Sequence, residues 1–551
     1  MDSITLDGRL FARMINEGAL NLRKNKSIVN DLNVFPVPDG DTGDNMFMTL
    51  QSGCDAITNN EDAALGTVSD TVARGMLLGA RGNSGVILSR IFAGIAEGLS
   101  DNTEADVALL SSAFLCGVKR SYEAVAVSVE GTILTVFRDA CEYAAGRINS
   151  KSTFNSYFND FFKELKRSLE RTPELLQALK DAGVVDSGGA GLVYIFEGML
   201  NAYNGISTDY DFDDNFSGSQ KSVNIGSFDE NSTLDYGYCT EFLLQLLNSK
   251  CDARNFDIDA FTANLNSIGD SVVSFLDGTV VKVHIHTKTP AEVFTLAQKY
   301  GEFLTVKVEN MTLQHNEHTV KNSYVAPKRK NTKKVGAVAV VSGEGIRDMF
   351  IESGVDVVVE GGQCMNPAVA DLIDAFEKVS ADTIIVLPNN SNVILTAKAA
   401  AEIYTDAEIL VLESRNVGEG YSAMSMFDSA STTPHEMLEE LTEAMSGVIC
   451  ANVCKAVRDY EVGGACVKEG EYIGICGDDI LSNSNDINSS LSHLIKKISG
   501  DSGLILLSYG NNINEADAEN TCELLQKEFT DIEFVLINGG QPVYDYLIIV
   551  E

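Results

Sequence analysis

The chain is poor in the residues that stiffen, cross-link or anchor a protein. It has nine prolines and six histidines in 551 residues, and its eleven cysteines are scattered without a single Cys-x-x-Cys pair. That usage argues against a disulfide framework and fits a reducing, cytoplasmic setting. No apolar run approaches the ~20 residues of a membrane span, so direct membrane insertion is not expected. The first twenty residues lack the apolar stretch of a signal peptide and read as an amphipathic helix built on Leu10, Phe11, Met14 and Ile15. Positive charge is also short: 41 Lys and Arg stand against 79 Asp and Glu, a formal net charge of −38. Such a surface repels nucleic acid and anionic headgroups, so neither is an expected partner.

Against this background the run Phe35-Pro-Val-Pro-Asp-Gly-Asp-Thr-Gly-Asp-Asn45 stands out. Pro36 and Pro38 fix φ on the approach, while Gly40 and Gly43 free it within the turn. Asp39 and Asp41, two residues apart, can face one point at the cost of mutual repulsion. Mg²⁺ relieves that repulsion, because it accepts one or two carboxylates and completes its octahedron with water and phosphate oxygens. A solvated Asp-Gly turn is the bland alternative; the flanking prolines, the second glycine and the helical run after Asn45 favour a metal–phosphate site.

At about 150 residues per domain the length predicts several domains. Residues 1–205 read as helical, with apolar residues at helical spacing through 71–78, 86–99, 107–126, 133–145, 154–169 and 192–202. Four glycine-bearing loops, Asp39–Gly43, Gly79–Gly85, Val129–Thr132 and Asp186–Gly191, each lead into a helix. They recur at intervals of roughly 40 to 57 residues, enough for two helices and a turn, so an up-and-down arrangement brings all four to one rim. Residues 233–320 read as a small α+β domain: a helix or strand–helix piece over 235–247, a helix over 256–268, a hairpin around Asp277-Gly278, a helix over 290–300 and a last strand over 305–312. The basic stretch Lys328–Lys334 reads as an exposed linker. Residues 335–551 alternate strand, loop and helix, which predicts an α/β domain on a largely parallel sheet.

The second loop, Gly79-Ala-Arg-Gly-Asn-Ser-Gly85, offers bare backbone N–H groups at a helix start, a phosphate cradle on the same rim as the Asp39–Asp41 turn. Ser84 can donate from its hydroxyl, and Arg81 either pairs with phosphate or is exposed. The fourth loop suits a ribose or adenine edge, or serves only close helix packing. In the middle segment His284 and His286 stand two apart on a strand, and Cys239 lies in the motif Tyr236–Glu241 of the same domain. One thiolate and two imidazoles make a three-ligand zinc site with an open fourth position. A thiol–imidazole pair, or a buried cysteine near ordinary strand histidines, reads the same spacing.

Phe35–Asn45, Gly79–Gly85, Glu130–Leu134 and Asp186–Gly191 resemble the nucleotide-binding domain of dihydroxyacetone kinases, which implies an eight-helix barrel with Mg-ATP at one rim. Tyr236–Glu241, Val283–Thr287, Gly361–Pro367, Leu387–Asn390 and Gly539–Tyr544 narrow the resemblance to the ATP-binding subunits of bacterial fatty acid kinases, across essentially the whole chain. That resemblance implies two Mg²⁺ held with ATP by Asp39 and Asp41. It also implies nucleotide contacts at Thr42, Asn45, Gly82, Asn83, Ser84, Gly85, Thr132, Asp186 and Gly188. A third metal-binding aspartate of the dihydroxyacetone kinases falls at Val34, beside Asn33. The implied activity is phosphorylation of a fatty acid carboxylate presented by a DegV-type fatty-acid-binding protein, with residues 335–551 docking that carrier and swinging on the basic linker. A kinase of a small hydroxylated substrate and a nucleotide sensor without turnover are the alternatives, and a homodimer is left open.

Overall fold

The computed structural model describes residues 5–32, 40–57, 63–125, 127–206, 238–252, 256–277, 279–310, 333–362, 365–462, 465–477, 479–500 and 502–550. They fall into two compact units: residues 1–211 together with 330–551, and residues 212–329.

The helical part opens with the two-residue strand β1 (Leu6–Asp7), paired with β2 (Glu104–Ala105). Its helices are α1 (Gly8–Asn30), α2 (Thr42–Ile57), α3 (Leu65–Leu78), α4 (Gly82–Leu99), α5 (Val107–Glu123), α6 (Ile133–Ala145), α7 (Phe154–Leu175), α8 (Gln177–Ala182) and α9 (Ser187–Tyr203). Side-chain caps define several starts: Asp7 accepts from the Leu10 amide and Asp106 from the Leu109 amide, both at 2.8 Å. Consecutive helices pack on one another, and α9 returns to α1 to close the ring. The close approaches need small residues. A Cβ on Gly98 would meet the Ala113 Cα at 2.5 Å, and one on Gly198 would meet the Glu17 carbonyl oxygen at 2.3 Å. Inside the ring Phe114, Phe137, Phe161 and Phe196 are buried, with Phe161 and Phe196 edge to face at 4.9 Å. Each such side chain contributes about 1.5–3 kcal/mol of burial.

The middle unit is an antiparallel sheet of β3 (Tyr238–Leu246), β4 (Asp270–Asp277), β5 (Val280–Thr287) and β6 (Gly301–Asn310), in the order β4-β5-β3-β6. With it go α10 (Ile258–Asn266) and α11 (Pro290–Ala297). Phe242, Leu244, Val281, Val283 and Ile285 alternate into its core with Phe261, Leu265 and Val293. The stretch left between helix and strand at 235–247 is strand from Tyr238 onward; its period of two decides the matter.

The C-terminal part departs from the expected single, largely parallel sheet. One sheet is parallel: β7 (Lys333–Val341), β8 (Val357–Glu360), β9 (Ala381–Leu387) and β10 (Glu408–Val411), ordered β10-β9-β7-β8. A small hairpin of β12 (Tyr460–Val462) and β13 (Ala465–Val467) lies beside a second sheet. That second sheet joins β11 (Ile449–Lys455), β14 (Tyr472–Cys476), β15 (Asp479–Ser484), β16 (Leu504–Tyr509), β17 (Glu533–Asn538) and β18 (Tyr546–Val550). Its pairings are antiparallel except for β16 with β17. Lys333 and Lys334, read from charge as linker, begin β7. Nor is this part a separately swinging body. Ala80 and Val86 of the helical ring are buried in the same apolar cluster as Val369, Leu372, Val393 and Ala397. Among the described residues no helix is long and apolar enough to cross a membrane.

Candidate functional site

The N-termini of α2, α4, α6 and α9 meet at one end of the ring. Ser187 at the start of α9 donates from Oγ to Thr42 Oγ1 at the start of α2, at 3.3 Å. The Arg81 amide, preceding α4, donates to Thr49 Oγ1 of α2 at 3.3 Å. Gly188 of α9 is so close to α6 that a Cβ would meet the Ile133 Cβ at 3.1 Å.

Asp41 ends the loop before α2, and its carbonyl accepts the Asn45 amide at 2.8 Å. Asn30 of α1 braces this turn: its Oδ1 accepts the Gly43 amide at 2.7 Å, and its Nδ2 donates to Asp44 at 2.6 Å. Asp44 also pairs with Lys26 at 2.6 Å, so this third acid of the motif is committed to the ring. Asn45 is buried against the start of α4. Gly82 there has φ +57, and a Cβ on it would sit 2.7 Å from Asn45 Nδ2. Both the backbone twist and the space call for glycine. The N-cap residue of α4, Arg81, makes no side-chain cap hydrogen bond. Ser84 is half-buried beside this open helix start.

The α6–α9 side is built differently. The Asp186 carboxylate accepts the Gly189 amide at 2.7 Å and also the Ile133 amide, so one half-buried acid caps two helices. Burial raises its pKa to about 6, while those two N–H groups pull the other way. Thr132 holds its own loop, donating to the Val129 carbonyl at 2.8 Å. Glu130 ties that loop down by accepting from Arg138 at 2.7 Å and Thr135 at 2.8 Å, which holds its carboxyl below the usual range.

Sequence reasoning missed what the C-terminal part brings to this rim. Asn366, fully buried just after the Gly361–Met365 turn, donates from Nδ2 to Asp41 Oδ2 at 2.6 Å. Its carbonyl accepts Arg81 Nη1 at 2.8 Å across 285 residues of sequence. Arg81, weighed as a phosphate partner or an exposed group, is thus engaged in joining the two parts, with Asp371 at 3.7 Å. Asn83 likewise reaches across, donating to Asn392 Oδ1 at 3.2 Å. The only signal in the sequence was Asn366 inside a glycine- and proline-framed motif, and nothing there tied it to residue 41.

The donors present suit a hard cation. Asp41 supplies a carboxylate and Thr42 a hydroxyl. Asn366 Oδ1 and Asn83 Oδ1 are buried amide oxygens without a hydrogen-bond partner among the described residues, an arrangement that native structures rarely leave uncompensated. Oxygen donors of this kind fit Mg²⁺. Asp39 lies outside the described residues, as do Asn33 and Val34.

In the middle unit the register sets Cys239 opposite His286 and Glu241 opposite His284. Because Thr240, Phe242, Val283 and Ile285 are buried, alternation assigns positions 239, 241, 284 and 286 to the other face of the sheet. Their side chains lie outside the described residues. Among the described residues no group of three or more His, Cys, Asp or Glu is placed to hold a metal.

Comparison with known proteins covers nearly the whole chain. Residues 36–201 match the DAK2 domain, 235–318 the middle domain of the FakA-like fatty acid kinase proteins, and 336–551 the C-terminal domain of the same FakA-like proteins. Protein YloV of Bacillus subtilis (strain 168) is 37% identical over 558 residues, covering 99% of each chain. Among solved structures, the dihydroxyacetone kinase of C. freundii in complex with AMP-PNP and Mg²⁺ is similar over 35% of this chain and 33% of that one, at 19% identity and a TM-score of 0.28. DegV, a fatty acid binding protein from Bacillus subtilis, is similar over 40% of this chain and 99% of its own, at 12% identity and a TM-score of 0.32. Likenesses at these scores bear on neither activity nor ligand. The three consecutive domain matches and the end-to-end relative place the chain in the FakA-like family of fatty acid kinase proteins.

Proposed function

We propose that this chain is the ATP-dependent catalytic subunit of a fatty acid kinase, working with a separate DegV-type fatty-acid-binding protein. A carboxylate oxygen of the carried fatty acid attacks the γ-phosphorus of ATP. The bond from phosphorus to the β,γ-bridging oxygen breaks, and acyl phosphate and ADP leave. The observation that carries this reading is the convergence of four helix N-termini on one rim, with Asp41 at its mouth. Backbone N–H groups at residues 82–85, with the hydroxyls of Thr42 and Ser84, are suited to hold phosphate oxygens. Asp39 and Asp41 are suited to hold two Mg²⁺, which supply charge neutralisation for phosphoryl transfer. Asn45 supports the turn from below, and Gly188 with Asp186 and Thr132 forms the wall for the nucleoside. A carboxylate acceptor is already ionised at neutral pH, so no strong general base is required of the chain.

Cys239, His284 and His286 form the second proposed site, a zinc centre or a thiol–imidazole pair, and the β3–β5 register supports their proximity. Protein prepared without chelators is expected to contain zinc by elemental analysis, and His286→Ala to lack it; a zinc content unchanged by the substitution would remove the metal reading.

The function is tested by ADP release from Mg-ATP with no acceptor, with dihydroxyacetone, and with a fatty acid on a DegV-type carrier. Turnover is expected only in the third case, with acyl phosphate formed. Turnover with dihydroxyacetone would assign a small hydroxylated substrate, and binding without any turnover would assign a sensor.

A further inference from the structure

We propose that Asn366 is a positioning residue of the metal–nucleotide site, and that the site is complete only while the C-terminal α/β part is docked on the helical ring. The inference rests on reading Asp41 as a metal ligand. Asp41 sits in a turn between Gly40 and Gly43, with its backbone tied to α2 through the Asn45 amide. The Asn366 amide removes freedom from the side chain: a donor at 2.6 Å to Oδ2 is a short, charge-assisted hydrogen bond. A carboxylate has about four lone-pair sites, more than a single hydrogen bond occupies. An outer-shell donor of this kind orients a ligating carboxylate. Asparagine alone suits the place: aspartate would repel Asp41, and a shorter hydroxyl would fall short.

What holds Asn366 in turn is the junction between the two parts. Its carbonyl is gripped by Arg81 at 2.8 Å. Residues 81 and 368 form an isolated antiparallel bridge, and the Val369 amide donates to the Ala80 carbonyl at 3.2 Å. Arg90 of α4 pairs with Glu402, and Asn83 with Asn392, on the helix Ser391–Ile403. Gly82 lies between the Asn45 and Asn366 amides, 2.7 and 3.1 Å from where its Cβ would be. The loop that presents the proposed phosphate cradle is therefore the loop that seats the C-terminal part. Loosening that seat frees the Asp41 carboxylate and lowers metal affinity, so anything that shifts docking of the C-terminal part also shifts metal loading.

The test is Mn²⁺ binding to the full chain, followed by electron paramagnetic resonance with AMP-PNP present, for wild type, Asp41→Ala, Asn366→Ala and Asn366→Asp. Asn366→Ala is expected to weaken Mn²⁺ on the order of 10- to 100-fold, and Asp41→Ala to abolish tight binding. If Asp41→Ala weakens Mn²⁺ and Asn366→Ala does not, the positioning role is wrong. If Asp41→Ala has no effect, the metal reading itself fails and takes this inference with it. Asn366→Asp keeps the shape and guards against a misfolded alanine variant. Its two facing carboxylates should lower the melting temperature in metal-free buffer, and Mn²⁺ should restore it by a larger shift than in wild type. A deficit that Mn²⁺ leaves in place would mark Asn366 as merely structural and overturn the proposal.

Discussion

Helices α4 and α9 both start in glycine-bearing loops on the same rim, yet their N-termini are satisfied in opposite ways. At α9 the chain provides its own acid, the half-buried Asp186, which serves α6 as well. At α4 the N-cap residue, Arg81, makes no side-chain cap hydrogen bond, and the side chains nearby are the amides of Asn45, Asn83 and Asn366, with the Asp41 carboxylate held by the last of them. A helix N-terminus carries roughly half a positive charge, and at α9 that charge is already answered. A second anion there would face the Asp186 carboxylate once it ionises. On the reading proposed above, the phosphates bind on the α2–α4 side, and the α6–α9 side takes the uncharged part of the nucleotide. Asp186 is what distinguishes two loops that look alike in sequence.

The largest expected effect is at the mouth of the open side. Asp41→Ala should lower turnover on the order of 10³-fold, as loss of a principal electrostatic stabiliser does, with the helical circular dichroism unchanged. Near-normal acyl phosphate formation would break the assignment. A smaller effect separates the two glycines. Gly82→Ala meets both a positive φ, at about 1–2 kcal/mol, and the two amides, so the KM for ATP should rise about tenfold or more. Gly188→Ala has an ordinary φ and a contact of 3.1 Å with Ile133, and should change that KM far less. Equal effects would remove the distinction between the two sides.

The smallest effect is on stability. Because burial raises Asp186 to about 6 from 3.8, the unfolded chain loses this proton first as pH rises. The stability carried by the protonated form is full below about pH 4 and is lost as pH rises through about 6, a change on the order of 3 kcal/mol. Urea unfolding across that window should show the slope in wild type and a flatter one in Asp186→Asn. A slope of opposite sign would place the ionised carboxylate as the favoured form.

How much of this was legible in the sequence follows from how local each feature is. Helix α6 spans Ile133–Ala145, the span its apolar spacing predicts, and loop spacing alone anticipated the shared rim. Local pattern also gave β4, β5 and the first strands of the C-terminal part. It failed where partners are distant. The second C-terminal sheet is assembled from β11 and β14 through β18, with β18 inserted between β11 and β16, an order no local period encodes. Asn366 reads as one polar residue in a glycine-rich turn until the fold sets it against Asp41. Arg81 reads from sequence as either a phosphate partner or an exposed group, yet here it fastens two parts of the chain. The basic run at 328–334 looks like a hinge by charge, but its last two residues are the start of a strand whose far end is buried.

The central claim is that the α2–α4 side takes the phosphates. A crystal structure of the full chain with Mg²⁺ and AMP-PNP tests it most directly. Phosphate oxygens are expected within hydrogen-bond distance of the backbone at residues 82–85 and of Thr42, with Asp41 on the metal and still held by Asn366. Phosphates bound instead at the α6–α9 side, against Thr132 and Ser187, with residues 82–85 empty, would contradict it.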